Sequence, residues 1–307
     1  MSLDLRGVNP APVTPFTPDG AVDHDSLGRL AAWLHSKENV TSLVVLGHAG
    51  EGTYLTPAEQ EAVIRTTVAA VNDEIPVIAG ITTEGDLTAV EEAKRAVAAG
   101  ARAGLIYPSH GWLRFGYQEG APQQRYRAIY EGSGLPCILF QYPDNTTATY
   151  NLATQLEIAS QEGVFAMKNG VRNMRRWDTE IPVIREQHPD LTILSCHDEY
   201  LLHTCFDVDG FLVGYGGLAP EIINDLLQAG LAGDYPAARA VHDRMLPITK
   251  AVYHRGSHME GTVALKLGLK ARGVLPHATV RPPLIDLSTD AEAEIVEALK
   301  AADLTGM

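Results

Sequence analysis

The residue most suggestive of chemistry is a lysine at the end of an apolar run. Lys168 closes the segment Val164-Phe165-Ala166-Met167. If that segment is a covered strand, the ammonium stands at its C-terminal end among apolar neighbours. Burial disfavours the charged form there and lowers its pKa. An ordinary lysine, with a pKa near 10.4, keeps only roughly a few parts in ten thousand of its amine neutral at pH 7. Reaching ~7 takes about 4–5 kcal/mol of differential solvation. A neutral amine adds to a ketone, and the resulting iminium draws electrons from the neighbouring bond. The plainer arrangement is a lysine reaching to the rim or pairing with Glu51.

Groups able to serve such a lysine follow other apolar runs. Gly47-His48-Ala49-Gly50-Glu51 comes after one run. Tyr107-Pro108-Ser109-His110 follows another, Phe140-Gln141-Tyr142-Pro143 a third, and Ser195-Cys196-His197-Asp198 a fourth. His48 and His110 titrate near neutrality and can both remove and return a proton; the plainer reading of each is a loop histidine. Cys196 reads as a packed small hydrophobe. His254 and His258 are four apart, but Gly256-Ser257 between them breaks the helix that a metal pair needs. No metal and no cofactor is expected. Trp112, Arg114, Phe115 and Tyr117 form a loop that reads either as a lid on the second half of a substrate or as packing against a neighbouring subunit.

These candidates sit at the ends of strands in an alternating pattern. Apolar runs at 42–47, 76–80, 103–107, 135–142, 164–168, 191–195 and 210–214 join an N-terminal segment, Gly7-Val8 to Val13-Thr14, to give eight strands. Helical patterns intervene, including one from Thr56-Pro57-Ala58-Glu59, a capping box with proline at the first helical position. Continuous apolar runs suit parallel strands covered on both faces. Eight such units predict a (β/α)8 barrel over residues 1–232, with the active site at the C-terminal ends of the strands. A doubly wound open sheet is the structural alternative, but its G-x-G-x-x-G after the first strand is missing. Residues 233–307 read as extra helices, at 235–253, 260–271 and 290–301, packed on the barrel as part of one domain. Leu212 and Val213, at the end of the eighth strand, are expected to touch the substrate together with Gly47, Ala49, Gly50 and Phe140.

Several motifs in order carry a family resemblance. Gly47-x-x-Gly50-Glu51, the stretch Leu135-Pro136-Cys137-Ile138-Leu139-Phe140-Gln141-Tyr142-Pro143 and Phe165-Ala166-Met167-Lys168 resemble the dihydrodipicolinate synthase / N-acetylneuraminate lyase superfamily. Pro12-Val13-Thr14-Pro15-Phe16 and Arg281-Pro282-Pro283-Leu284 fit as well. The resemblance implies a barrel with C-terminal helices, a homotetramer or homodimer, and a Schiff base between a 2-keto acid and the lysine matched by Lys168. It also exposes departures. The usual threonine pair is His48 and Ala49, the usual catalytic tyrosine aligns with Phe140, and the arginine for the second substrate's carboxylate corresponds to about Asn145. These argue against the lysine-pathway synthase reaction. His48, with His110 or Tyr142, is left to move the proton.

Composition narrows the partners. The 307 residues carry 38 acidic against 24 basic side chains, a formal charge of −14. No global positive field attracts nucleic acid or an anionic membrane, whereas a small anionic substrate needs only local positive charge. Cys137, Cys196 and Cys205 lack CxxC spacing and fit a reducing cytoplasm. No apolar run is long enough to span a bilayer, and the first residues lack a secretory pattern. The expected function is a lyase acting on a 2-keto acid, plausibly a 2-keto-3-deoxy sugar acid, by dehydration or retro-aldol cleavage. The rivals are the synthase reaction itself, a barrel that only binds a keto acid, and a metal-dependent aldolase or hydrolase.

Overall fold

The computed structural model describes residues 3–306. Eight strands run parallel: β1 Gly7–Pro10, β2 Leu43–Val45, β3 Val77–Ile81, β4 Ala103–Ile106, β5 Cys137–Gln141, β6 Val164–Asn169, β7 Thr192–Ser195 and β8 Gly210–Val213. Consecutive strands pair from β2 to β8, and β8 pairs with β1. The seam between β1 and β2 is drawn together by Val8, whose N–H donates to the Asn39 carbonyl (2.9 Å) and whose carbonyl accepts from the Thr41 N–H (3.0 Å). The result is the expected (β/α)8 barrel. The first strand is shorter than its sequence pattern, ending at Pro10, where proline lacks an N–H to continue the ladder.

Alternation along each strand sorts its side chains into two layers. Val44, Ile78, Leu105, Ile138, Ala166, Leu194 and Leu212 fill the barrel interior. Val45, Ala79, Ile106, Leu139, Met167, Ile193 and Val213 face the surrounding helices. Phe140 belongs to the inner set, and Lys168 follows the inward Ala166 by two. Both side chains therefore point into the mouth.

The covering helices form as their sequences dictate. Pro57–Ala70 opens with the predicted capping box: the Thr56 N–H donates to Glu59 Oε2 (2.8 Å), and the Glu59 N–H to Thr56 Oγ1 (3.3 Å). Asp86–Ala99 stops at Gly100, whose φ of 105° closes the helix in a conformation glycine adopts without strain. After Pro220–Leu231 come Tyr235–Tyr253, Glu260–Ala271 and Thr289–Ala301. Tyr235–Tyr253 packs along both Pro220–Leu231 and Thr289–Ala301. Among the described residues no helix is long and apolar enough to cross a membrane.

The segment after β4 differs from the expected loop. His110–Phe115 is a short helix ended at Gly116. Trp112 packs edge-tilted on Tyr117, with ring centroids 5.8 Å apart, and its carbonyl accepts from Thr147 Oγ1 at 2.6 Å. Six residues are enough for one helical turn here because Glu84 supplies the acceptors its first N–H groups lack.

Candidate active site

A cavity of about 270 Å³ opens at the C-terminal ends of the strands. Lys168 enters it from β6, and the register that pairs Phe140 with Lys168 sets the two side chains next to each other. The ammonium lies 4.3 Å from the centroid of the Phe140 ring, a favourable cation–π placement. Lys168 makes no ion pair among the described residues. Glu51, its candidate partner in the sequence, pairs with Lys266 instead. Desolvation therefore lowers the Lys168 pKa, with Cys196 and Asp198 opposing the shift and Arg172 adding to it.

The turn after β2 forms the facing wall. Leu46 (φ 62°) and Glu51 (φ 55°) sit in the left-handed region at its two ends, a conformation that strains a side chain as large as leucine. Thr14 Oγ1 ties the turn down by donating to the Gly50 carbonyl at 2.7 Å. The Ala49 and Gly50 N–H groups have no partner among the described residues, whereas the His48 N–H donates to the Tyr107 hydroxyl at 3.2 Å. Gly47, His48 and Ala49 line the cavity. Gly50 is buried behind them.

His48 and Tyr142, proposed separately from the sequence, meet. Nε2 of His48 and the Tyr142 hydroxyl are 3.0 Å apart. His48 is exposed at the cavity, with the rings of Tyr107 and Tyr142 packed edge-on against its imidazole. Its pKa is pushed well below the ordinary histidine range, by desolvation first and then by the Lys168 ammonium. The neutral ring can accept the phenol's hydrogen. Burial likewise holds the Tyr142 phenol protonated.

Other expected residues lie elsewhere. His110 turns away, with Nδ1 3.0 Å from Glu84 Oε1, and is outside the cavity wall. The Ser109-His110 corner serves to receive Glu84, because the helix starting there needs an acceptor. Leu212 lines the cavity, but Val213, one residue on, points to the helix layer. Asn145 is exposed and outside the wall, while its neighbour Thr146 contributes. None of Trp112, Arg114, Phe115 and Tyr117 lines the cavity, and Phe115 is 80% exposed; they do not form a lid over it. Cys196 is buried against the site, its Sγ 3.6 Å from Arg172 Nη1.

The remaining wall was not anticipated. Asp198 accepts from the Tyr253 hydroxyl and the Tyr215 N–H, both at 2.9 Å. Desolvation raises its pKa, with Glu199 adding to the rise and the Tyr215 N–H opposing it. Arg172, four residues beyond Lys168, donates to Glu199 at 3.0 Å, and His258 stands 3.6 Å from the same carboxylate. Tyr107 completes the aromatic cluster, 4.8 Å from His48 and 5.2 Å from Phe140 between ring centroids. The positions of Tyr107 and Asp198 at strand ends were a usable signal. Tyr253, Thr262 and Leu265 come from the C-terminal helices and gave none.

Comparison with known proteins identifies the family. The profile of the Dihydrodipicolinate synthetase family matches residues 4–302. A 4-hydroxy-tetrahydrodipicolinate synthase from Acidothermus cellulolyticus is 30% identical over 96% of this chain and 92% of its own length. One from Moorella thermoacetica is 32% identical over 96% and 97%. Among solved structures, the dihydrodipicolinate synthase of Thermotoga maritima superposes with a TM-score of 0.87 at 25% identity, over 98% of this chain and 99% of that one. The chain belongs to the Dihydrodipicolinate synthetase family, whose members are class I lyases that form a Schiff base with pyruvate.

Proposed function

We propose that this enzyme is a lyase that binds a 2-keto acid as an iminium on Lys168 and dehydrates or cleaves a 2-keto-3-deoxy sugar acid. The observation that carries this reading is an unpaired, partly desolvated Lys168 sharing one cavity with a bonded His48–Tyr142 pair. The neutral amine attacks the keto carbon, and water leaves as the iminium forms. The positive nitrogen then acidifies the C3–H bond, and neutral His48 accepts that proton at Nε2 as the Tyr142 hydroxyl gives up its bond to the ring, leaving an enamine. The enamine electrons expel the C4 hydroxyl, which leaves as water with the proton that His48 returns. In the retro-aldol variant, removal of the C4–OH proton breaks C3–C4, and the enamine regains a proton at C3. The substrate carboxylate, held near the turn, offsets the Lys168 charge that depresses His48.

The far wall favours a hydroxylated tail. Asp198 lines it as an acceptor, and the guanidinium of Arg172 on the same wall is already committed to Glu199. Hydroxyls find an acceptor there, whereas a second substrate carboxylate meets a guanidinium that is already engaged. The relatives' name supports the synthase reaction as a second reading, but Phe140 and the outlying Asn145 leave it without the family's tyrosine and arginine. The same proposal takes the enzyme to be cytoplasmic and a homodimer or homotetramer.

A panel of 2-keto-3-deoxy sugar acids, followed for pyruvate and for the dehydrated keto acid, tests the reading. Turnover of at least one member is expected. If no member reacts and pyruvate is consumed only with a second aldehyde substrate, the chain is a synthase.

A further inference from the structure

The site lacks the hydroxyls that the family resemblance implies at His48, Ala49 and Phe140, yet another hydroxyl, that of Tyr107, stands beside His48 and Phe140. Tyr107 enters from the end of β4, where its N–H donates to the Ile81 carbonyl (3.0 Å) and its carbonyl accepts from Arg125 Nε (3.0 Å). Its ring is wedged at right angles to Phe140 (87°) and nearly so to His48 (72°). The hydroxyl therefore has one place to be, over Gly47. A Cβ built on Gly47 falls 2.8 Å from that oxygen, too close for any residue but glycine without displacement of the hydroxyl.

The direction of the hydroxyl proton follows from its one recorded bond. The oxygen accepts from the His48 N–H, and no acceptor for its own hydrogen is present among the described residues. Tyr142, the neighbouring phenol, is already engaged with His48. Tyr107 lines the cavity, as does Ala49, so its donor is free to meet a ligand together with the unpartnered Ala49 N–H. Burial raises the phenol's pKa above the ordinary tyrosine range, which keeps that hydrogen in place at every working pH.

We propose that the Tyr107 hydroxyl is a substrate-binding donor that anchors the carboxylate of the 2-keto acid, taking the part of the absent threonine hydroxyls. The inference rests on the Lys168 iminium reading above. The Tyr107 hydroxyl and the Ala49 N–H then meet a carboxylate from one strand end and one turn, and hydrogen bonds to a charged group are the stronger kind.

Borohydride trapping of pyruvate on the full-length enzyme, read by intact mass over a concentration series, tests it. Tyr107→Phe keeps the ring and removes the hydroxyl. The concentration for half-maximal adduct is expected to rise about 10- to 100-fold, while the maximal adduct stays at one per chain. Methyl pyruvate, which lacks the carboxylate charge, is expected to shift less than threefold. A pyruvate shift under threefold, or an equal shift for both compounds, overturns the assignment. A second variant separates donation to substrate from support of the turn. With 3-fluorotyrosine at position 107 the hydroxyl is a stronger donor and weaker acceptor, so pyruvate capture is expected to tighten; weakening contradicts the donor role. If the unaltered enzyme captures no keto acid, the iminium reading fails and this one with it. If it captures pyruvate and Tyr107→Phe changes nothing, only this one fails.

Discussion

Two lysines of this barrel point their ammonium groups at phenylalanine rings, and their surroundings give them opposite fates. Lys266 Nζ lies 4.2 Å from the Phe16 ring centroid, and Lys168 Nζ lies 4.3 Å from that of Phe140. Lys266 is sealed from solvent, pairs with Glu51 and donates to the Thr279 carbonyl at 2.9 Å. Desolvation pushes Glu51 up and Lys266 down, and each charge partly offsets the other's shift. Lys168 has the same aromatic floor but, among the described residues, no carboxylate within ion-pair reach. A carboxylate partner turns a buried lysine into a brace; its absence leaves an amine available for chemistry. The brace also serves the site, because Glu51 ends the turn that carries Gly47, His48 and Ala49, and Lys266 belongs to the helix that contributes Thr262 and Leu265 to the cavity.

The comparison breaks most visibly in activity. Lys168→Met is expected to lower turnover by at least about 10⁴-fold, the scale for loss of a covalent nucleophile, with the urea midpoint unchanged or higher because an unpaired buried charge is gone. A drop in stability like that of a Lys266 variant would erase the distinction. Lys266→Met is expected to do the reverse at first order. It strands the Glu51 carboxylate and destabilises the fold by about 3–5 kcal/mol, and Glu51→Leu added to it recovers most of the loss. Urea unfolding of the single and double variants checks both statements.

Smaller effects refine the catalytic side. His48→Ala is expected to reduce kcat by about 10²-fold, the usual contribution of general acid–base catalysis. A change within threefold moves the proton to another group. The pH profile has a definite sign. Lys168 reacts as the neutral amine, so kcat/KM rises with pH and levels off above its lowered pKa. His48, held neutral throughout, adds no second ionisation to that limb, which falls with a slope of one on the acid side. A slope of two would place an ionising histidine beside the lysine in the free enzyme.

Much of this was legible along the chain because a barrel converts sequence position into site position. Apolar runs locate the strands, and alternation sends every second side chain inward. From these two rules Lys168, Phe140 and Leu212 could be placed at the mouth from residue order alone, and His48 from its place just after a strand end. The same rule assigns Val213 outward, which a reading of strand ends without parity overlooks. His110 misled because the helix starting beside it draws Glu84 into hydrogen bonds, a contact between segments 26 residues apart. The aromatic segment after β4 resembled a lid by composition, yet Trp112 is occupied by Tyr117 and Thr147. Tyr253, Thr262 and the Glu51–Lys266 pair depend on how the last helices dock against the barrel, which no local pattern encodes. Glu51 in particular was a candidate partner for Lys168, and only the fold shows that a second lysine reaches it.

The central claim is that Lys168 is the amine that captures a 2-keto acid. Reduction of the enzyme with borohydride in the presence of pyruvate, followed by peptide mapping, addresses it directly. The account predicts one reduced pyruvyl adduct per chain, confined to Lys168 and abolished in Lys168→Met. An adduct on another lysine, or none with any keto acid, would contradict it.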